Sequence, residues 1–208
     1  MLLLLLLVAP LGAQTRPSGF TVGLRASGLI GTRLISDDIG QSILPDTLLQ
    51  GRFNRDTIKV GMPIAPDLTL VVSLPLNEES DLQLAAGYTL GRLEVTQADE
   101  SRDAGGAALG HAVVSIRQPV RGVLGRLGIG LMWVQGAEIT AFREMRTLNP
   151  LIEVAATRIW DMGGYQVEAG LVGQAAQLSS AALEARQGTS GMYYRLGLEL
   201  GAGRRFGR

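Results

Sequence analysis

The chain has no cysteine, a single histidine and only ten aromatic residues among 208. The missing cysteines exclude a disulfide framework, a thiolate metal site, a cysteine nucleophile and the acylated cysteine of a bacterial lipoprotein. Charge of one sign is also missing, because 19 Lys+Arg balance 19 Asp+Glu. No net field recruits nucleic acid, and no basic run is long enough for a polyanion groove. Long hydrophobic runs are absent too: the longest, Leu2 to Leu11, is shorter than the ~20 residues of a spanning helix. If this chain crosses a membrane, it does so as a closed barrel of strands.

The opening "MLLLLLLVAPLGAQ" reads as a secretory signal, an apolar run ending in the small residues Gly12 and Ala13. No Lys or Arg precedes Leu2. A cut after Gln14, with Gly12 three residues back, fits better than one after Ala13, which would place Leu11 there. Residues 1–14 are therefore expected to be the signal peptide, and residues 15–208 one domain. The apolar share of 46% is ample for burial in a chain of this length.

Glycine is in excess, 28 of 208, about double its usual ~7% share and without a collagen period. The rest of the chain alternates at period two in eight segments. They are Gly19 to Gly31, Asp67 to Leu76, Asp81 to Gly91, Gly110 to Val120, Arg126 to Ile139, Ile152 to Trp160, Tyr165 to Leu178 and Tyr194 to Phe206. Their connections alternate as well. "NEES", "RGVLG" and "DMGG" are short, whereas Thr32 to Pro66, Arg92 to Leu109, Thr140 to Leu151 and Ser179 to Gly191 are long and polar. Short and long loops thus fall at opposite ends of an up-and-down meander, the asymmetry of outer-membrane barrels with short periplasmic turns and long extracellular loops. The expected fold is all-β: an eight-stranded antiparallel up-and-down transmembrane β-barrel, with periplasmic termini.

Which parity faces inward decides the compartment. One parity is almost free of charge between strand ends. The other carries Arg25, Arg117, Arg126 and Arg195 against Glu138, Glu153, Glu168 and Glu199. Glycines concentrate on that charged parity, at Gly23, Gly87, Gly128, Gly130, Gly170, Gly197, Gly201 and Gly203. An eight-stranded interior is just wide enough for side chains, so long Arg and Glu there need small neighbours. Seven aromatics lie on the apolar parity near strand ends. Phe20, Trp160, Tyr165 and Phe206 fall at the short-turn end, and Tyr88, Trp133 and Tyr194 toward the long-loop end, two levels that suit the two interfaces of a bilayer. The leucines are therefore expected to face lipid, and the eight charges to form a luminal ion-pair network.

At this point the stretch Gly19 to Phe206 resembles, in architecture, the small eight-stranded outer-membrane barrels of the OmpA/OmpX type. The resemblance implies a C-terminal aromatic read by the barrel-assembly machinery, a place that Phe206 nearly occupies, although Gly207 and Arg208 follow it. No peptidoglycan-binding domain is expected after it.

Chemistry is sparse. His111 and Ser115 share a face but stand four residues apart on one strand, ~13 Å, beyond hydrogen-bond reach. A lipid A deacylase arrangement would need a serine from another strand. The carboxylates of Ser36 to Asp38 could hold a cation, and Arg102, Arg143 and Arg146 could touch lipopolysaccharide headgroups; solvated loop charges are the simpler reading of both. The expectation is a monomeric, non-enzymatic outer-membrane protein with no cofactor and no metal. Its partners would be outer-membrane lipid and lipopolysaccharide, and its role structural or surface-interacting through the long loops. The alternatives are a narrow channel and a secreted or periplasmic lipocalin-like barrel with its apolar parity inside.

Overall fold

The computed structural model describes residues 19–31, 59–97, 100–137, 148–178 and 191–207. The signal segment, Ser36 to Asp38, Glu138, Arg143 and Arg146 lie outside the described residues. The described chain forms nine strands: β1 (Phe20–Gly31), β2 (Lys59–Gly61), β3 (Ala65–Pro75), β4 (Asp81–Gln97), β5 (Glu100–Val120), β6 (Val123–Ala137), β7 (Asn149–Asp161), β8 (Tyr165–Leu178) and β9 (Gly191–Phe206). Every pairing is antiparallel.

The strands close into a ring in the order β1-β3-β4-β5-β6-β7-β8-β9 and back to β1. The seam runs from Phe20 against Phe206 to Gly31 against Arg195. Short β2 and longer β3 lie end to end along β4, with Gly61 against Glu94 and Asp67 against Thr89. They act as one stave broken at Met62–Ile64, so nine strands make eight staves. Closure leaves no sheet edge around the ring, which a hydrogen-bonded wall needs where no water can satisfy it.

Twist and turn chemistry explain the short connections. Arg121 (φ 47°) and Gly122 (φ 90°) join β5 to β6, and Gly163 (φ 64°) and Gly164 (φ 99°) join β7 to β8. Two successive residues at positive φ match the right-handed twist of the flanking strands. The expected "RGVLG" connection accordingly contracts to its first two residues, and Val123 already begins β6. Between β3 and β4 the Asn77 side-chain oxygen accepts from the Glu79 and Ser80 amides, at 2.9 and 2.7 Å.

The long-loop end differs more from expectation. Arg92 to Leu109 is not a loop: β4 continues to Gln97 and β5 starts at Glu100, so Arg102 sits on a strand. Twenty-one residues in β5 are about double the 9–11 that cross a bilayer. An exposed pair stitches this extension, Arg92 Nε donating to Asp103 Oδ2 at 2.9 Å. Hydrogen bonds from Arg92 and from the Gly105 N–H hold the Asp103 carboxyl below its ordinary value. A polar composition thus made a loop of what cross-strand pairing keeps as a ladder.

The parity assignment is unambiguous. Leu24, Leu70, Leu84, Ile129, Leu198 and Leu200 point outward and are exposed, while Arg25, Arg117, Arg126, Glu153, Glu168, Arg195 and Glu199 point inward and are buried. The lipocalin-like alternative required the reverse and does not hold.

Arg121 is the one non-glycine residue at positive φ among the described residues. Arg121→Asn, an Asn-Gly pair suited to this turn, should stabilise the barrel by about 1 kcal/mol. The urea midpoint of protein refolded in detergent micelles checks this.

Candidate functional site

Among the described residues, the lumen gathers the reactive side chains, and glycine makes the room. A Cβ on Gly201 would lie 2.6 Å from Glu168 Cγ and 3.1 Å from Arg25 Cγ. At Gly87 it would lie 2.5 Å from Thr69 Oγ1 and 2.9 Å from His111 Cε1. The glycine excess is the space that long polar side chains need inside a small ring.

Near the short turns, Glu168 joins two arginines. Arg25 Nε donates to one carboxylate oxygen, and Arg117 Nη1 to the other at 3.1 Å. Arg117 also donates to Asp81 Oδ2 from Nη2 at 2.7 Å and from Nε at 3.2 Å. Arg25 Nη2 reaches Gln83, whose amide donates to Ser73 at 2.9 Å. Beside these groups lies a cavity of about 30 Å³, lined by Thr21, Ser73, Gln83, Arg117, Gln166 and Glu168. It has room for one or two waters and polar partners to hold them.

A second cluster centres on Arg126. Its two Nη atoms clasp Glu199 at 2.8 and 2.7 Å while Nε donates to Glu153 at 2.8 Å. Such a fork holds both carboxylates in one plane. Glu153 also accepts from Gln174 at 2.6 Å, and Gln174 in turn accepts from Arg195 Nε.

Arg195 leads to a third group around Asp67. Its Nη1 donates to Thr89, whose hydroxyl donates to Asp67 Oδ2 at 2.6 Å; Thr69 donates to Asp67 Oδ1 at 2.7 Å. His111 Nε2 lies 3.1 Å from Thr69 Oγ1, and its Nδ1 lies 3.5 Å from Asp67 Oδ2. The Thr69 hydrogen is already committed to Asp67, so Nε2–H is the donor to Thr69. The three resemble a nucleophile, base and orienter in spacing, but a base whose Nε2 carries the proton cannot take one from Thr69. Ser115 stays on the His111 strand and does not join this group.

Above this network the lumen turns apolar. Leu29, Met62, Leu93, Leu109, Met132, Leu151 and Tyr193 are fully buried in one cluster. Met62 enters from the break between β2 and β3 and lies over Gly91, where a Cβ would come within 2.5 Å of its sulfur. From the short-turn end upward the lumen holds a small cavity beside the Glu168 cluster, then the Arg126 and Asp67 groups, then an apolar cap.

Of the eight residues expected in the network, seven are buried and hydrogen-bonded inside the barrel, and Glu138 lies outside the described residues. Other participants escaped sequence reasoning, among them Asp67, Asp81, Gln83 and Gln174. The two aspartates stand at strand starts, where charge was discounted, and uncharged glutamines carry no signal beyond their parity. The aromatics occupy the outer wall. Phe20, Tyr88, Tyr165, Tyr194 and Phe206 are exposed, and Trp133 and Trp160 are half-buried. Trp133 lies flat over Gly110, where a Cβ would meet its ring at 2.3 Å.

A closed eight-stave ring with leucines outside and paired charges inside is an inverted barrel, the class to which small outer-membrane barrels belong. The solved structure of the outer membrane protein OprG from Pseudomonas aeruginosa is similar, with a TM-score of 0.52 over 93% of this chain and 99% of that one. Identity is 11%, so the likeness is one of fold. No family model matches the chain, and no curated protein resembles it in sequence.

Arg126→Met leaves Glu153 and Glu199 buried without their cation and should cost about 3–5 kcal/mol. The triple variant that adds Glu153→Gln and Glu199→Gln should recover most of that loss. Urea unfolding from lipid vesicles measures both.

Proposed function

We propose that this chain is an integral outer-membrane protein, inserted as a monomer with its short turns and both termini in the periplasm, whose role is structural or surface-interacting rather than catalytic. The observation that carries this reading is the inversion itself. Each exposed leucine would forgo ~1.5–3 kcal/mol of burial in water, and a contiguous band of them far exceeds the patch a soluble monomer tolerates. In hydrocarbon the same band is at home. The aromatics at both ends suit the two interfaces.

Two features support a closed barrel. The charged groups satisfy one another across the lumen, and the apolar cap lies between them and the long-loop end. Such an interior holds shape and excludes flow. Interaction then belongs to the long-loop end, where β4 and β5 extend with β2 paired alongside and β5 carries the exposed Arg102 as a candidate contact for lipopolysaccharide. Phe206, exposed at the end of β9, would serve the barrel-assembly machinery as the C-terminal aromatic.

The test uses the absence of native cysteine. With Leu198→Cys and, separately, Glu199→Cys, a lipid-phase thiol probe should label the first and spare the second. Labelling of neither, with recovery as a soluble periplasmic species, would sink the membrane reading. In planar bilayers the wild type should give no steady unitary currents. Stable current steps would replace the closed barrel with a narrow channel.

A further inference from the structure

The aromatics of the short-turn end do not ring the barrel. Trp160, Tyr165, Phe206 and Phe20 stand on β7, β8, β9 and β1, four adjacent staves. Phe20 and Phe206 stack across the seam with centroids 5.4 Å apart. Between them and Tyr165 lies Arg204, which faces outward, directly opposite Tyr165 in the β8–β9 ladder. Its guanidinium sits 5.9 Å from the Tyr165 ring and 5.4 Å from the Phe206 ring.

Every luminal arginine described above is engaged by a carboxylate. Arg204 instead has two aromatic faces and, among the described residues, no carboxylate partner. Asp161, at the end of β7, is paired with Arg205 at 2.8 Å, and Arg205 belongs to the opposite parity. Ring faces orient an arginine without neutralising it, so the cation keeps its full charge and its free N–H fork. Two rungs further up the same face come Ala202 and Leu200, so the charge lies at the foot of the apolar band, where a bilayer places its headgroups. Elsewhere on the rim, the β3–β4 turn carries Glu78 and Glu79 and the β5–β6 turn carries Arg121.

We propose that Arg204, held between Tyr165 and Phe206, is a contact site for the phosphate of an anionic phospholipid in the periplasmic leaflet, with acyl chains lying along the β8–β9–β1 wall. A guanidinium fork matches phosphate oxygens, and the flanking rings suit the boundary between headgroup and chain. The site gives the barrel a preferred side for anionic lipid. This inference rests on the membrane reading above.

The probe is phosphatidylglycerol, with phosphatidylcholine as the zwitterionic comparison, and the readout is the number of lipids retained by the full chain in native mass spectrometry from mixed micelles. The wild type should retain phosphatidylglycerol preferentially. Arg204→Gln should lower that retention about fivefold, the effect of one surface cation near anionic lipid. Arg204→Lys should fall between the two, since it keeps charge and loses the fork. Arg121→Asn, which removes one exposed cation from the β5–β6 turn of the same rim, should leave retention unchanged. Equal retention of both lipids by the wild type, unchanged retention by Arg204→Gln, or an equal loss in the Arg121 variant, overturns the site and leaves the barrel standing. Heat-modifiable migration on gels reports folding of each variant. The Leu198 and Glu199 labelling pattern reads the membrane assignment independently of lipid preference.

Discussion

The narrowness of an eight-stave ring is the constraint on which the rest of this structure depends. A ring of this size has space for side chains but little for water, so a charge that points inward must find its counter-charge on another stave. Arg126 does so with Glu153 and Glu199, and Glu168 does so with Arg25 and Arg117. Burying such pairs contributes little net stability by itself, because desolvation offsets most of the attraction. Their effect is to disfavour other registers: slipping any one stave by a residue would turn its charges toward the outside and strand their partners.

Glycine is the other half of the same constraint. Gly201 gives up its side chain where Glu168 and Arg25 meet, and Gly91 does the same where Met62 enters. Each is a small residue facing a long one, so the lumen is filled by unequal contributions from its staves. On the outer wall Gly110 yields in the same way to the Trp133 ring, and elsewhere leucine, isoleucine and valine repeat with little regard to what lies opposite.

The two ends of the barrel solve different problems. At the short-turn end, tight turns at Arg121–Gly122 and Gly163–Gly164 leave the rim to aromatic rings, arginine and a small cavity. At the long-loop end, apolar side chains cluster in the lumen, while β4 and β5 extend further with β2 paired alongside.

Strand number, the short-turn positions and the sidedness of most residues were legible in the sequence, because parity within a strand is a local property with a period of two. Leu198 and Glu199 announce opposite faces whatever their neighbours are. The same local reading took Arg92 to Leu109 for a loop, since polar residues carry no mark of the ladder that pairs them. What only the tertiary structure decided is partnership. Arg25 and Glu168 are 143 residues apart, and Arg126 and Glu199 are 73 apart. Nothing local links either pair until the ring closes and sets every register at once. The apolar cap was hidden for a related reason: Leu29, Leu93, Leu109 and Tyr193 lie on the parity that carries the charges, and only closure at the long-loop end turns them into a cluster.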